Sequence, residues 1–296
     1  MTAKKFHGVI PAVLTPFKNG RIDVAAVRRH VDFMIEDGVH GFYPCGTTGE
    51  GILLSVEERK TMAKAVVDAA AGRVPVMVHV GAASTEQTLE LALHAKAIGA
   101  DAVGIVAPFF YSVDKVGIIQ HYTTVAKALG DFPVYLYNIP GNAKNDVTPD
   151  IVATVAAACD NVVGVKDSSK DIGRLAAYAL KMGPEFSVIV GSDALVLPAL
   201  TVGGCGVISA VANAFPKEVV VVYEAFRAGE FGEAMELQAK LNRLRSALQA
   251  GPYLAAYKAA LRLRGVDFRG AKAPMREMDD ADVEKLKEQL TRLGLL

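Results

Sequence analysis

Residues 161–166 of this chain read Asn161-Val162-Val163-Gly164-Val165-Lys166, a short apolar run that ends in a lysine. Its valines favour a buried β-strand, and the polar stretch Asp167-Ser168-Ser169 directly after it is typical of a loop. A charged amine at the end of such a strand is costly to desolvate, so the pKa of Lys166 should fall. A lysine of that kind can attack a ketone and form a Schiff base, although a solvated loop lysine is the commoner case.

Seven more runs of this type lie along the 296 residues, and longer amphipathic stretches separate them. The predicted strands cover residues 8–13, 41–45, 74–80, 102–107, 134–138, 162–166, 186–190 and 206–209. Apolar residues recur at helical spacing between them, for example at 23–36, 56–70, 86–98 and 116–128. We therefore expect an α/β protein built on a (β/α)8 TIM barrel. An open doubly wound sheet is the alternative, but the early loops lack the Gly-x-Gly-x-x-Gly pattern that would favour it.

About 85 residues follow the eighth predicted strand, which is too many for one closing helix. We expect helices at 217–228, 233–248, 252–264 and 280–293. The first would complete the barrel, residues 1–228. The others would form a C-terminal helical extension, residues 229–296, that belongs to the same domain because no linker or low-complexity segment separates it.

The composition excludes several classes of function. Lys+Arg and Asp+Glu number 32 each, so the net charge is zero and neither nucleic acid nor an anionic membrane surface is an expected partner. Hydrophobic residues make up 51% of the chain, yet no apolar span is long enough for a membrane helix, and residues 1–7 lack the apolar core of a signal peptide. The three cysteines, Cys45, Cys159 and Cys205, are odd in number and far apart in sequence. This favours reduced thiols in a cytoplasmic protein and argues against a zinc cluster.

Three features fall at predicted strand ends, where catalytic groups of such barrels gather. The turn Gly46-Thr47-Thr48-Gly49-Glu50-Gly51 follows strand two, and it is either an anion cradle suited to a carboxylate or a glycine-rich turn that caps a helix. In Tyr135-Leu136-Tyr137 on strand five, period two places both tyrosines inside the barrel, as core filler or as acid–base groups. The same alternation points Val163 and Val165 at the helices, and Gly164 and Lys166 inward, with Gly164 leaving space beside the lysine.

Strands five and six are neighbours in a barrel, so Tyr137 and Lys166 should lie close together. An inward lysine, a nearby phenol and a carboxylate cradle are the set that Schiff-base chemistry on a 2-oxo acid requires. The combination is more specific than any of its members.

With these residues the chain resembles the dihydrodipicolinate synthase / N-acetylneuraminate lyase family of class I pyruvate-dependent aldolases. The resemblance covers nearly the whole chain and rests on motifs in the family's order and spacing: Gly46-Thr47-Thr48-Gly49-Glu50, Pro108-Phe109-Phe110-Tyr111, Tyr137-Asn138-Ile139-Pro140, Gly164-Val165-Lys166-Asp167, Gly191-Ser192-Asp193 and Gly206-Val207-Ile208-Ser209.

The resemblance implies a role for each position. Lys166 would form the imine with pyruvate or the 2-oxo acid substrate, Tyr137 would shuttle the proton, and Thr47 would pass that proton on. The pyruvate carboxylate would bind Thr47 and Thr48 in the turn that Gly46 begins, and Ile208 would contribute backbone near the imine. No cofactor or metal is implied, and the expected assembly is a homotetramer built as a dimer of dimers.

Two departures concern the second substrate. In the lysine-biosynthetic synthases, an arginine grips the carboxylate of the aldehyde substrate, and this chain has Asn142 in that place. Those enzymes also use a tyrosine from the partner subunit, where this chain has Phe110 followed by Tyr111. Asparagine cannot replace a bidentate guanidinium, and Lys144 could supply charge but not that geometry.

We therefore expect cleavage or dehydration of a hydroxylated 2-oxo acid, such as a 2-keto-3-deoxy sugar acid, with pyruvate as partner. The alternative is 4-hydroxy-tetrahydrodipicolinate (dihydrodipicolinate) synthase, which condenses pyruvate with aspartate semialdehyde in lysine biosynthesis. Two further classes are disfavoured. A metal-dependent lyase using His79, Glu50 and His94 lacks ligand spacing, and a non-catalytic 2-oxo acid sensor would not need both Lys166 and Tyr137.

Overall fold

A parallel sheet curls round on itself at the centre of the structure, a computed structural model that describes residues 6–296. The first five residues, where we expected no signal peptide, lie outside the described residues. Seven strands pair in the order β1-β9-β8-β7-β6-β5-β4. They are β1 Gly8–Pro11, β4 Met77–His79, β5 Ala102–Val106, β6 Val134–Asn138, β7 Val162–Asp167, β8 Ser187–Val190 and β9 Gly206–Ser209. The short strands β2 Phe17–Lys18 and β3 Arg21–Ile22, which we did not predict, form a separate antiparallel hairpin.

Residues 40–44 fill the eighth position and close the ring. The N–H of Tyr43 donates to the carbonyl of Pro11 at 2.9 Å on one side, and the N–H of Met77 donates to the carbonyl of Phe42 at 2.9 Å on the other. The segment carries only an isolated bridge, Phe42 to Val76, so it is less regular than the strand expected at 41–45. The expected (β/α)8 TIM barrel is confirmed.

The helices alternate with the strands and then continue into the extension. Around the barrel they are α1 Val24–Glu36, α2 Val56–Ala70, α3 Thr85–Ala97, α4 Lys115–Leu129, the one-turn α5 Pro140–Ala143, α6 Pro149–Ala158, α7 Ile172–Met182, α8 Val196–Thr201 and α9 Pro216–Ala228. The extension holds α10 Phe231–Leu248, α11 Ala255–Leu263 and α12 Asp280–Arg292, close to the predicted bounds. Within residues 6–296, no helix is both long enough and apolar enough to cross a membrane.

Three helices of the barrel begin at hydroxyl side chains that cap them. Ser55 and Glu58 form a reciprocal capping box at the start of α2, with N–H···O distances of 2.8 and 3.2 Å. Ser84 and Thr148 cap α3 and α6 through their hydroxyls. These caps satisfy N–H groups that have no partner inside the helix, and they fix where each loop ends.

Strand alternation divides the core into two layers, as the period of two predicts. Tyr135 packs inside the barrel with Ile10 and Met77, while Val134 and Leu136 join the larger layer between the strands and the helices. The hydroxyl of Tyr135 lies 3.5 Å from that of Ser187 and accepts from the N–H of Phe6 at 3.3 Å. Tyr135 is therefore core filler with a satisfied polar tip.

A β-bulge in β7 corrects one prediction. Val134 on β6 pairs with Val162, but the next residue, Tyr135, pairs with Gly164, so Val163 is the extra residue. Because the bulge shifts the alternation by one position, Val163 packs against the barrel interior and not against the helices. Two adjacent valines give no sign of which one is the extra residue, so the sequence does not reveal this bulge.

Candidate active site

Lys166 lies near the carboxyl end of β7 and is buried, with 5% of its surface exposed. Its Nζ is 3.9 Å from the ring centre of Tyr137 and 4.5 Å from that of Tyr43. Burial lowers the pKa of Lys166 to about 7, because the charged form loses its hydration. No described residue forms an ion pair with this amine, so a neutral nucleophile is available near pH 7.

The space for this side chain comes from a different glycine than the sequence suggested. A Cβ on Gly164 would collide with the ring of Tyr135, so this glycine makes room for the tyrosine. A Cβ on Gly191 would collide with the hydroxyl of Ser168 and would lie 3.1 Å from Cε of Lys166. Gly191 follows β8, and it is therefore the residue that lets the lysine and the Ser168 loop pack together.

Tyr137 is the direct neighbour of Lys166 across the strand pair, as predicted. Its hydroxyl shares a hydrogen bond of 3.3 Å with the hydroxyl of Thr47. Burial raises the pKa of Tyr137, and hydrogen bonds with Thr47 and Ser168 offset part of that effect. The phenol thus keeps its proton at neutral pH, and its hydroxyl is linked to that of Thr47 beside the amine.

The carboxyl end of β7 is held in place by Asp167, which follows the lysine. Its carboxylate accepts hydrogen bonds from the amide of Asn138 at 2.8 Å and from the N–H and the hydroxyl of Ser169 at 2.8 and 2.5 Å. Asn138 lies at the end of β6, so the two strands that carry Tyr137 and Lys166 are cross-linked just beyond them. This fixes the amine and the phenol relative to each other.

The turn over residues 46–51 satisfies part of its own backbone. The N–H of Glu50 donates to Thr47 at 3.1 Å and the N–H of Gly51 donates to Gly46 at 3.0 Å, so these two groups are not free to hold an anion. Thr47 and Thr48 line the cavity above Lys166, whereas Gly46 is not part of its wall. The candidate carboxylate cradle is therefore narrower than the whole glycine-rich motif and centres on the two threonines.

A buried ion pair ties this turn to the extension. Lys258 on α11 contacts the carboxylate of Glu50, and both side chains are almost fully buried. Lys258 also donates to the carbonyls of Thr15 at 2.9 Å and Gly270 at 2.8 Å, while Glu50 accepts from the N–H of Lys272 at 2.8 Å. Glu50 therefore anchors the turn that carries Thr47 and Thr48, a role that sequence reasoning missed.

A cavity of about 410 Å³ opens at the carboxyl ends of the strands and brings most predicted site residues together. Six of the eight line it: Lys166, Tyr137, Thr47, Thr48, Ile208 and Asn142. Much of the remaining wall is polar, with hydroxyls, amides and charged groups from Ser168, Ser169, Lys170, Ser192, Asp193, Arg245 and Gln249.

Tyr111 does not join this cavity. Its side chain is 74% exposed and packs edge-on against Phe110, which is 72% exposed and has a φ of +79°. Phe109 instead lines a neighbouring, mainly apolar cavity behind Tyr137. Within one chain the two exposed aromatic rings face outward, and Tyr111 stays a predicted site residue without a contact to the site.

The C-terminal extension forms one wall of the cavity. Arg245 lies on α10 and Gln249 directly after it, while Tyr253 lies in the turn before α11 and Tyr257 on α11 itself. Arg245 and Gln249 are four residues apart, which places their side chains on one face at the end of α10. That spacing is the only sequence signal that could have indicated these two residues.

Asp193, a residue of the motif Gly191-Ser192-Asp193, connects two loops of the site. Its buried carboxylate accepts from the hydroxyl of Ser209 and from the N–H groups of Ala210 and Val211 at 3.3 and 3.4 Å. Burial raises the pKa of Asp193, and these hydrogen bonds oppose the rise. Asp193 thus joins the loops after β8 and β9 at the edge of the cavity.

Two of the three residues of the metal-dependent alternative, Glu50 and His79, are engaged elsewhere. Glu50 is paired with Lys258, and Nδ1 of His79 lies 2.9 Å from the carbonyl of Cys45. Burial, with the nearby charges of Arg59 and Lys166, lowers the pKa of His79 well below its usual value. Across residues 6–296, no three His, Cys, Asp or Glu side chains are grouped to hold a metal ion.

Known proteins match the chain over almost its entire length. The model of the dihydrodipicolinate synthetase family matches residues 5–293. An uncharacterized DapA-like lyase of Halobacterium salinarum is 43% identical, over 98% of this chain and 95% of that protein. The 4-hydroxy-tetrahydrodipicolinate synthase of Methanoculleus marisnigri is 37% identical, over 98% and 100%.

Solved structures agree. YagE, a prophage protein of the dihydrodipicolinic acid synthase family from E. coli K12 in complex with pyruvate, superposes with a TM-score of 0.94 at 31% identity, covering 98% of this chain and 99% of that one. The dihydrodipicolinate synthase from Aquifex aeolicus gives 0.93 at 32% identity, with the same coverage. The chain therefore belongs to the dihydrodipicolinate synthetase family, whose members are lyases of the class I aldolase type.

Proposed function

We propose that Lys166 forms an imine with the keto carbon of pyruvate or of a larger 2-oxo acid. The observation that carries this proposal is the buried amine with a pKa of about 7, which forms no ion pair with residues 6–296 and whose Nζ is 3.9 Å from the ring centre of Tyr137. A neutral amine attacks the ketone, and the resulting carbinolamine must lose water. Tyr137 can donate the proton that turns the hydroxyl into a leaving group, and it then becomes a phenolate.

The same phenolate can accept the next proton. If the substrate carries a hydroxyl on carbon four, removing its proton allows the bond between carbons three and four to break. An aldehyde leaves, and the electron pair moves into the iminium to give the enamine of pyruvate. Protonation of the enamine and hydrolysis of the imine release pyruvate and restore Lys166. Thr47 shares the hydrogen bond with Tyr137 and passes the proton on.

The carboxylate next to the keto group would bind at Thr47 and Thr48, with hydroxyls and N–H groups as donors. Ile208 lies in the cavity wall and would place backbone near the imine. Gly46 would act by shaping the turn and not by contact.

We favour a hydroxylated 2-oxo acid, such as a 2-keto-3-deoxy sugar acid, as the substrate that is cleaved or dehydrated. The support is the polar wall above the amine, where Ser168, Ser169, Asn142 and Gln249 offer hydroxyls and amides to a polyol chain. Asn142 also stands where the resemblance places the arginine of the synthases.

Dihydrodipicolinate synthase activity is the second candidate, because relatives at 35–37% identity carry that name. The two are separated by comparing kcat/KM for aspartate semialdehyde plus pyruvate with kcat/KM for 2-keto-3-deoxy sugar acids. We expect the sugar acids to react faster by about 10-fold or more, since one charged hydrogen bond to the semialdehyde carboxylate is missing at Asn142. The assignment would be reversed if the semialdehyde condensed efficiently with pyruvate and the sugar acids did not react.

We also propose a homotetramer, as a dimer of dimers, in the cytoplasm. The exposed rings of Phe110 and Tyr111 support contact with a partner subunit, because apolar surface of that size is favourable to bury. Sedimentation analysis tests the assembly, and a monomer at micromolar concentration would contradict it.

A further inference from the structure

We propose that Arg245 binds a second carboxylate at the far end of the substrate, so that the preferred substrate is a 2-oxo diacid. This inference rests on the proposed imine chemistry and narrows its substrate class. It assigns a specificity role to a residue of the C-terminal extension.

The guanidinium of Arg245 is in the cavity wall and has no ion-pair partner among the described residues. Four of the other six arginines of the extension are paired: Arg262 with Glu277 at 3.1 Å, Arg264 with Asp37 at 4.0 Å, Arg269 with Asp267 at 3.0 Å and Arg292 with Glu288 at 3.5 Å. The remaining two, Arg243 and Arg276, do not line this cavity. A half-buried guanidinium without a partner is costly unless an anion reaches it.

The acid in the cavity wall, Asp193, does not form an ion pair with Arg245. Its carboxylate feels the charge of Arg245, but it accepts its hydrogen bonds from Ser209, Ala210 and Val211. The planar fork of an arginine matches a carboxylate in a bidentate geometry. A ligand therefore has an unsatisfied donor set to bind.

Arg245 and the reacting amine differ in depth within the same cavity. Lys166 is buried, and Tyr137 and the two threonines that suit the first carboxylate line the cavity with it. Arg245 is half-buried on the wall that α10 contributes, and the exposed Lys170 adds positive charge to the same wall. One chain that extends from the amine towards α10 would thus meet a donor set for an anion at each end.

The glycine-rich run of residues 203–205 gives no reason to place a phosphate at this end. It directly precedes β9 and lies at the amino ends of the strands, so it offers no phosphate cradle at this cavity. A sugar-derived 2-oxo acid with a terminal carboxylate fits the arrangement, whereas a terminal alcohol would leave the guanidinium without a partner.

The test separates binding from turnover. The probes are 2-oxoadipate and 2-oxohexanoate, six-carbon 2-oxo acids that differ in a terminal carboxylate and a terminal methyl group. Each is titrated against the intact protein with borohydride, and the concentration for half-maximal adduct formation is read by mass spectrometry. We expect the diacid to be trapped at about 10-fold to 10²-fold lower concentration than the monoacid, the usual effect of a charged hydrogen bond.

Arg245→Gln should abolish this preference, because the amide retains polarity without charge. Arg243→Gln is the matched control, since Arg243 is on the same helix but outside the cavity, and it should keep the preference. A preference that survives in Arg245→Gln, or that disappears only in Lys170→Gln, would overturn the assignment to Arg245. Circular dichroism of each variant checks that it is folded.

The second part of the test measures turnover. It compares kcat/KM for a 2-keto-3-deoxy aldarate, the diacid, with kcat/KM for the 2-keto-3-deoxy aldonate of the same configuration, the monoacid. Arg245→Gln should lower kcat/KM for the diacid about 10-fold to 10²-fold more than for the monoacid. Equal losses would contradict the subsite. If neither sugar acid reacts but the 2-oxoadipate preference depends on Arg245, the subsite stands and the sugar-acid function fails. If no 2-oxo acid is trapped at all, both fail.

Discussion

Two buried lysines of this chain should respond in opposite ways to the same substitution. Lys166 is buried without an ion pair to any residue that the structure describes, and its pKa falls from the ordinary 10.5 to about 7. Such a shift corresponds to roughly 5 kcal/mol of lost stability while the unfolded state is protonated. Lys166→Met would also lose the contacts of the amine with the rings of Tyr43 and Tyr137. That loss reduces the gain in stability by about 1–2 kcal/mol. We therefore expect Lys166→Met to raise the free energy of unfolding by about 3 kcal/mol at pH 7.

The dependence on pH has a definite sign. The folded-state pKa of Lys166 is lowered, so the penalty is fully present below about pH 7 and is lost as the pH rises towards 10.5, where the unfolded state also deprotonates. The gain in free energy of unfolding from Lys166→Met should thus shrink to roughly 1 kcal/mol or less at pH 9.5.

Lys258→Met is the matched control. Lys258 is also buried, but it is paired with Glu50 and donates to two carbonyls, so its removal leaves a buried carboxylate without its partner. We expect a loss of about 3–5 kcal/mol. Urea unfolding at one fixed protein concentration measures both variants, since any assembly adds to the apparent stability. If Lys166→Met destabilises the protein as Lys258→Met does, Lys166 is a structural cation and the argument for a neutral nucleophile is refuted.

Three further outcomes follow from the site. Tyr137→Phe should slow turnover about 10²-fold to 10⁴-fold and keep the fold, whereas Tyr135→Phe should change turnover by less than about 10-fold; similar rates for the two variants would show that Tyr137 only packs. The rate of pyruvate imine formation should rise about tenfold per pH unit below 7 and level off above it, because the pKa of Lys166 is about 7; a rise continuing to pH 10 would indicate an ordinary lysine. Asn142→Arg should raise kcat/KM for aspartate semialdehyde about 10-fold to 10²-fold in a coupled assay, and no gain would mean that another residue grips that carboxylate.

Much of the site could be predicted because strand alternation is a local property. Period two in residues 134–138 placed Tyr137 inward, and the neighbouring of successive strands placed it beside Lys166. Asn142 was predicted to belong to the site only because the family resemblance implied it, and it does line the cavity. These inferences needed no knowledge of how distant segments pack.

The residues that were missed depend on tertiary packing. Arg245 reaches the cavity because α10 folds back over the carboxyl ends of the strands, and nothing in its own helix fixes that direction. The partner of Glu50, Lys258, is 208 residues away, so the sequence does not reveal the ion pair. Without that partner, Glu50 could be considered as a metal ligand. The space for Lys166 was assigned to Gly164, since the collision that Gly191 avoids involves a loop after a different strand.

The most direct test of the central claim is to locate the adduct. The protein is incubated with pyruvate and borohydride, digested, and the modified peptide is sequenced by mass spectrometry. We predict one reduced pyruvate adduct per chain, on Lys166, and none in Lys166→Met. An adduct on another lysine, or no adduct in the parent protein at pH 8, would contradict the imine mechanism.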